Sequence, residues 1–219
     1  YYKAGEALQS LGKSLEAKVY FNKSQELLAL ANQGTDVGVA EMHIKEAGDF
    51  RDQGNFQEAL ASLKKALDIY LNREPLDDFR IADLYGTMGQ LCFSQREWSQ
   101  ALGFFKERAK FLEKFNAKPS CMQSTNLYMA TCYRLLQNFD ESLKCSNKII
   151  ESAKATGENR YIGTAYMERG RVYETKGMLK EALEAYKSWE KYGDKEHPDP
   201  QAAAKKIAEI QKKIQEKTI

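Results

Sequence analysis

The chain has 219 residues, 42% apolar and 29% charged, and its 33 basic side chains nearly balance 31 acidic ones to leave a net charge of +2. Twelve Tyr, ten Phe and two Trp, with balanced charge, exclude an intrinsically disordered chain. No apolar run approaches the ~20 residues of a membrane-spanning helix, and so small a net charge argues for neither nucleic acid nor an anionic membrane surface as partner.

In chain order, the recurrence of apolar residues at i+3 and i+4 predicts helices over 1–11, 14–32, 37–53, 56–72, 77–95, 98–115, 120–136, 139–155, 159–176, 179–192 and 199–217. No segment sustains a period of two, so the expected fold class is all-α. Short turns join the helices in twos: Gly12-Lys13-Ser14, Gly54-Asn55, Arg96-Glu97, Gln137-Asn138 and Gly177-Met178. Glycine just past a helix end is the favoured left-handed cap, and Asn the next choice. Longer joins stand at Gln33-Gly34-Thr35-Asp36, Arg73-Glu74-Pro75, Lys118-Pro119 and Thr156-Gly157-Glu158, with Asp36, Asp77 and Ser120 able to cap the helices that follow.

Laid against itself, the chain repeats. Five times a small residue is followed by another twelve positions on: Gly5 with Ala17, Ala47 with Ala59, Gly89 with Ala101, Ala130 with Ser142, and Gly170 with Ala182. Successive second members lie 42, 42, 41 and 40 residues apart. Leu8, Phe50, Cys92, Tyr133 and Tyr173 follow the first small residue by three, and Phe21, Leu63, Phe105, Ser146 and Tyr186 follow the second by four. A small residue lets a neighbouring helix axis approach, and the large residues at i+3 and i+4 fill the space beside it. Each unit reads as a pair of antiparallel helices.

These residues resemble the tetratricopeptide-repeat family, whose small-x-x-Tyr and Ala-x-x-x-Phe pattern is met by Gly170-x-x-Tyr173 with Ala182-x-x-x-Tyr186, and by Ala47-x-x-Phe50, Gly54, Phe56, Ala59 and Ala66. The third unit departs at Cys92 and Arg108, the fourth at Ser142 and Ser146. The period of 40–42 residues exceeds the usual 34 or so and is similar to a long-period subgroup of scaffold and adaptor proteins. The resemblance implies a right-handed superhelical solenoid of antiparallel helix pairs at about 1–33, 37–73, 77–116, 120–156 and 159–192, closed by a capping helix at 199–219. HEAT and armadillo repeats, and the helical stacks of vesicle-fusion adaptors, are the rival architectures. In the last helix Ala203, Ile207, Ile210 and Ile214 form one stripe, while Lys205, Lys206, Lys212, Lys213 and Lys217 cover the rest. That suits a terminal element with one apolar and one solvated face.

No Walker-type loop, G-x-G-x-x-G, H-E-x-x-H or G-x-S-x-G is present, so neither catalysis nor a cofactor is expected. Asp77-Asp78 sits at a helix start where the macrodipole favours carboxylates, and His43 and His197 lack a second ligand at metal-binding spacing. Cys92, Cys121, Cys132 and Cys145 lie 29, 11 and 13 residues apart, which fits no zinc ribbon. They read as reduced, structural thiols in an intracellular, rather cytoplasmic than nuclear, protein.

Function is then expected from a surface. In the family the first helices line the concave side, and one arc of those helices carries Lys45, Arg51, Gln90, Phe93, Leu127, Tyr128, Thr131, Arg134, Met167 and Arg171, the candidate partner-binding residues. Tyr and Arg are enriched at binding hot spots. The Lys/Asn/Arg clamp of the chaperone-tail-binding members is missing: Ile44, Gly48, Asp83, Thr87 and Tyr128 stand there. The expectation is a non-catalytic scaffold or adaptor that takes an extended or helical protein segment, without nucleic-acid binding or membrane insertion. The alternatives are a regulatory module of a larger enzyme or motor and a vesicle-fusion-adaptor-like stack. With Gly5 only four residues from the start and no initiator Met, the chain reads as a piece of a longer protein or complex.

Overall fold

The computed structural model describes residues 1–31, 36–157, 160–193 and 201–216. Eleven helices and no strand are present among them: α1 (Tyr2–Ser10), α2 (Ser14–Ala31), α3 (Asp36–Asp52), α4 (Phe56–Leu71), α5 (Asp78–Ser94), α6 (Trp98–Lys114), α7 (Pro119–Leu135), α8 (Phe139–Thr156), α9 (Ile162–Thr175), α10 (Leu179–Tyr192) and α11 (Ala202–Glu216). The all-α expectation holds, and the helix limits agree with the periodicity to within a few residues. His197, Lys217, Glu158 and the join at 33–35 lie outside the described residues. Two compact units result, Tyr1–Leu84 and Tyr85–Ile219, with the division falling inside α5.

The turns within pairs share one geometry. Gly12 (φ 74°), Gly54 (80°), Arg96 (62°), Gln137 (60°) and Gly177 (72°) are all left-handed. In each, the next N–H donates five residues back, as Asn55 N to Phe50 O at 2.8 Å and Asn138 N to Tyr133 O at 2.8 Å, while the left-handed residue donates three back. This is the Schellman closure of a helix end. The Asn expected as left-handed caps are not: Asn55 (φ −85°) and Asn138 (φ −87°) occupy the N-cap of the next helix, without a side-chain capping bond. In the fourth turn a glutamine carries the positive φ because the register of the turn, not its composition, decides which residue takes it.

Asp77 caps as expected, its Oδ1 accepting from Arg80 N at 3.0 Å. Ser120 does not. Pro119 opens α7, where a missing N–H is harmless, and Ser120 becomes the second residue of the helix.

Packing inside the pairs follows a size rule between the first small residue and the residue sixteen on. A Cβ on Gly5 would stand 2.6 Å from the Phe21 ring, and one on Gly89 2.7 Å from the Phe105 ring; Gly170 meets Tyr186 the same way. Where the first residue is Ala, its counterpart is smaller: Leu63 for Ala47, Ser146 for Ala130. The fourth pair, which departs from the family pattern, has one polar bond across it and one within α8 instead of a ring. Buried Ser142 donates Oγ to Ala130 O at 2.8 Å, and Ser146 donates Oγ to Ser142 O at 3.1 Å.

In the first unit Tyr70, 1% exposed, donates to Glu41 at 2.8 Å, and Arg80 pairs with the same carboxylate at 3.2 Å. Burial first, then the Glu41 carboxylate, pushes the Tyr70 phenol up to about 12. His43 is buried and shares Glu46 with Ser62. In the second unit the α11 stripe seats Ala203 and Ile210 on Ala182, Tyr186 and Trp189, flanked by Ile207 and Ile214. Lys206 and Lys213 of α11 reach Glu174 of α9 at 3.4 and 2.8 Å.

Candidate interaction surface

The arc on the first helices is built from paired side chains more than from solvated ones. In the first unit, exposed Lys45 of α3 donates to Glu6 of α1 at 2.9 Å and lies 3.9 Å over the Tyr2 ring. The Glu6 hydrogen bond, then that of Tyr2, raises the lysine pKa. Tyr2 in turn donates to Asp49 at 3.2 Å. Lys45 thus ties α1 to α3. Arg51 is exposed and donates both Nε and Nη2 to Asp52 Oδ1, at 3.0 and 2.9 Å.

In the second unit two groups come together. Phe93 is half-buried and meets Trp98 and Tyr128 edge-on, with centroids 5.0 and 5.4 Å apart. Tyr128 stacks on fully buried Phe105 at 4.7 Å and 11°. Four aromatic rings from α5, α6 and α7 therefore share one wall. The second group is ionic. Arg134 of α7 donates Nε to Glu168 Oε2 at 2.8 Å, and Arg171 of α9 donates Nη1 to Glu168 Oε1 at 2.6 Å. The carboxylate is 2% exposed, the Arg134 side chain 17% and that of Arg171 44%. A carboxylate so buried is tolerable because two guanidinium groups saturate it.

Every apolar candidate on the arc also has packing work. Leu127 lies on the cluster of Ile149, Ile150, Ala153, Ile162 and Ala165, and Met167 on the cluster around Tyr186 and Trp189. Thr131 is half-buried and returns its hydroxyl to Leu127 O at 3.1 Å. Gln90 is exposed.

Sequence reasoning passed over three residues here. Glu168 lies on the arc, but a lone glutamate on a helix face reads as solvated. Its signal was Arg171 three residues on, together with an Arg one unit earlier. Arg108 of α6 lies over Gly86 of α5, where a Cβ would stand 2.9 Å from the guanidinium carbon, and its Nε is buried without a hydrogen-bond partner. Its signal was the departure from the small residue the repeat pattern favours. Glu174 gathers Tyr186, Lys206 and Lys213, and only α11 reveals it.

The thiols carry no chemistry of this surface. Cys92, Cys132 and Cys145 are buried, Cys121 is half-buried, and none of the four is in a disulfide. Burial pushes Cys132 up to about 12 and Cys145 to about 11, the opposite of an activated nucleophile. Among the described residues no helix is long and apolar enough to cross a membrane.

Solved structures share the fold. BtubC from P. vanneervenii is 12% identical over 87% of this chain and 78% of its own, with a TM-score of 0.69. Aspartyl phosphate phosphatase F from Bacillus subtilis is 13% identical over 99% of this chain and 59% of its own, at 0.65. YrrB, a tetratricopeptide protein with an unusual peptide-binding site, is 18% identical over 94% and 89%, at 0.59. No curated protein matches the chain. One family model, that of the tetratricopeptide repeat, matches residues 38–114 and 121–189, and a second model of the same repeat matches 1–27. With two thirds of its residues matched and its helices paired around the small positions that define the repeat, the chain belongs to the tetratricopeptide-repeat family.

Proposed function

We propose that the chain is a non-catalytic scaffold or adaptor, and that it holds an extended or helical segment of a partner protein along its first helices. The observation that carries this reading is the Arg134–Glu168–Arg171 bridge. It fixes two guanidinium groups on neighbouring first helices and leaves Arg171 half open to solvent. On α5 and α7 the half-buried Phe93 and Tyr128 are held by ring contacts, edge-on to one another and, for Tyr128, stacked on Phe105. Rigid aromatic and arginine groups give binding energy at small entropic cost. Lys45, Arg51, Gln90, Leu127, Thr131 and Met167 complete the proposed contact set. YrrB, of the same fold, has a peptide-binding site. Four cysteines outside any disulfide support a reducing, intracellular setting.

Affinity purification with mass spectrometry names the partner, and Arg171→Ala with Gln90→Ala then tests the surface. We expect binding to fall by about 1–2 kcal/mol with the helical signal intact. Lys64→Ala and Lys144→Ala, at exposed positions on second helices, should leave it unchanged. Loss of binding through the two lysines, with Arg171 silent, would reverse the assignment.

A second reading is a regulatory module of a larger protein. The aspartyl phosphate phosphatase favours it, because a helix stack like the whole of this chain occupies only 59% of that protein.

A further inference from the structure

A notch of about 450 Å³ opens between α9 and α10 in the second unit, away from the arc of candidate contacts. Tyr166, Arg169 and Tyr173 of α9 line it together with Lys180, Glu181, Glu184, Ala185 and Ser188 of α10. The guanidinium carbon of Arg169 lies 5.7 Å from the Tyr166 ring centre and 6.0 Å from that of Tyr173. The Arg169 Nε is buried with no hydrogen-bond partner, and no carboxylate pairs with the guanidinium among the described residues.

The register makes this arginine unusual. It immediately precedes the small residue Gly170. The same place in the other pairs of this unit holds Met88, 0% exposed, and Met129, 8% exposed. In the first unit the place holds Ala4 and Glu46, the carboxylate of Glu46 satisfied by Ser62 at 2.9 Å. Arg169 alone of these five stands in a packing position, flanked by aromatic faces, with a buried donor unspent.

We propose that this notch is a second docking site, which takes an aspartate or glutamate side chain of a partner protein segment that also carries a basic residue beside it. A carboxylate matches the planar fork of a guanidinium held between tyrosine rings. Lys180, Glu181 and Glu184 also face it, Glu184 pairing with exposed Lys187 at 2.8 Å. The two carboxylates offset the two cations Arg169 and Lys180, so the lining has no excess positive charge for a dianion such as a phosphate group, and they favour a cationic neighbour to the entering carboxylate. The notch is independent of the first-helix arc, so either site can stand without the other.

Random linear peptides displayed on phage, selected on the wild-type chain after depletion on Arg169→Met, test the proposal. That variant restores the residue of the sister pairs, and the depletion removes every peptide that binds the arc instead. Surviving peptides should carry Asp or Glu with Lys or Arg within one helical turn, and bind the variant about tenfold more weakly than wild type. The double change Glu181→Lys with Glu184→Lys should keep the acidic requirement and abolish the basic one. If Arg169→Met melts early, Arg169→Gln replaces it in the depletion. The proposal is overturned if no peptide survives depletion, if the survivors lack an acidic residue, or if millimolar inorganic phosphate displaces them.

Discussion

The ring of Phe105 lies so close to the bare backbone of Gly89 that a Cβ there would stand 2.7 Å from ring atom Cε1. Phe105 is fully buried and has no room to retreat. We therefore expect Gly89→Ala to destabilise the chain by about 1–3 kcal/mol, in spite of the better helix propensity of alanine. Gly103→Ala is the control: it lies inside α6 with nothing within 4 Å of the new methyl, and should stabilise by about 0.5–1 kcal/mol. Urea unfolding of both variants decides the matter. Equal behaviour would mean that the ring does not rest on the glycine.

Two of the five left-handed turn positions are held by residues with a side chain, Arg96 at φ 62° and Gln137 at φ 60°. A left-handed conformation costs such residues about 1–2 kcal/mol, partly offset in a glycine variant by its freer unfolded chain. Gln137→Gly should raise the thermal midpoint by an amount corresponding to about 0.5 kcal/mol or more. Gly177→Gln should lower it. A lowered midpoint for Gln137→Gly would place the strain elsewhere.

Removing the buried carboxylate leaves its arginines facing each other. Glu168→Ala should cost about 2–3 kcal/mol, less than a wholly buried pair because Arg171 is 44% exposed. Arg134→Ala should cost more than Arg171→Ala, since Arg134 is the more buried partner. The ranking is read from denaturant midpoints.

Acid should loosen α11 first. Burial pushes the Glu174 carboxyl up, but hydrogen bonds from Lys213 and Tyr186, with the charge of Lys206, outweigh it and hold the group below its ordinary 4.5. Hydrogen bonds from Lys213 and Lys206 take Glu209 down to about 2. A lowered folded pKa stabilises above the unfolded value and is lost as pH falls through the folded one. Protection factors across 202–216, corrected for the intrinsic exchange rate at each pH, should thus fall between about pH 4.5 and pH 2, and Glu174→Gln should flatten that dependence. An unchanged profile in the variant would remove Glu174 as the link.

Much of this could be read from the residues alone. Small positions sixteen residues from a ring, and turn residues repeating every 40–42 positions, reflect constraints that each pair satisfies within itself. The charges were harder. The arc that contains Arg134, Glu168 and Arg171 follows from helix geometry, but whether a carboxylate there is solvated or 2% exposed depends on the helix one pair away. Phe93 and Tyr128 stood out as apolar residues on a face expected to be wet. The structure supplies the reason sequence lacked: Tyr128 stacks onto Phe105 of the preceding pair, and Phe93 meets Tyr128 and Trp98 edge-on. Ser142 and Ser146 looked like lapses in the pattern, yet the Ser142 hydroxyl bonds across the fourth pair to Ala130 O, and buried Ser146 satisfies its own on Ser142 O within α8.

The matching of Gly with a ring and of Ala with Leu or Ser has a consequence for how such a chain can change. Exchanging α6 for α8 would bring Phe105 against Ala130 and leave Ser146 facing Gly89, one pair overfilled and the other hollow. Helices of this chain can therefore be moved or replaced only with their partners. A substitution at one of the two positions closes some routes at the other until the second has followed. Ala47→Gly and Leu63→Phe, each unfavourable alone, should tolerate one another. The heritable part of this fold is the couple, and a single helix carries only half of the instruction.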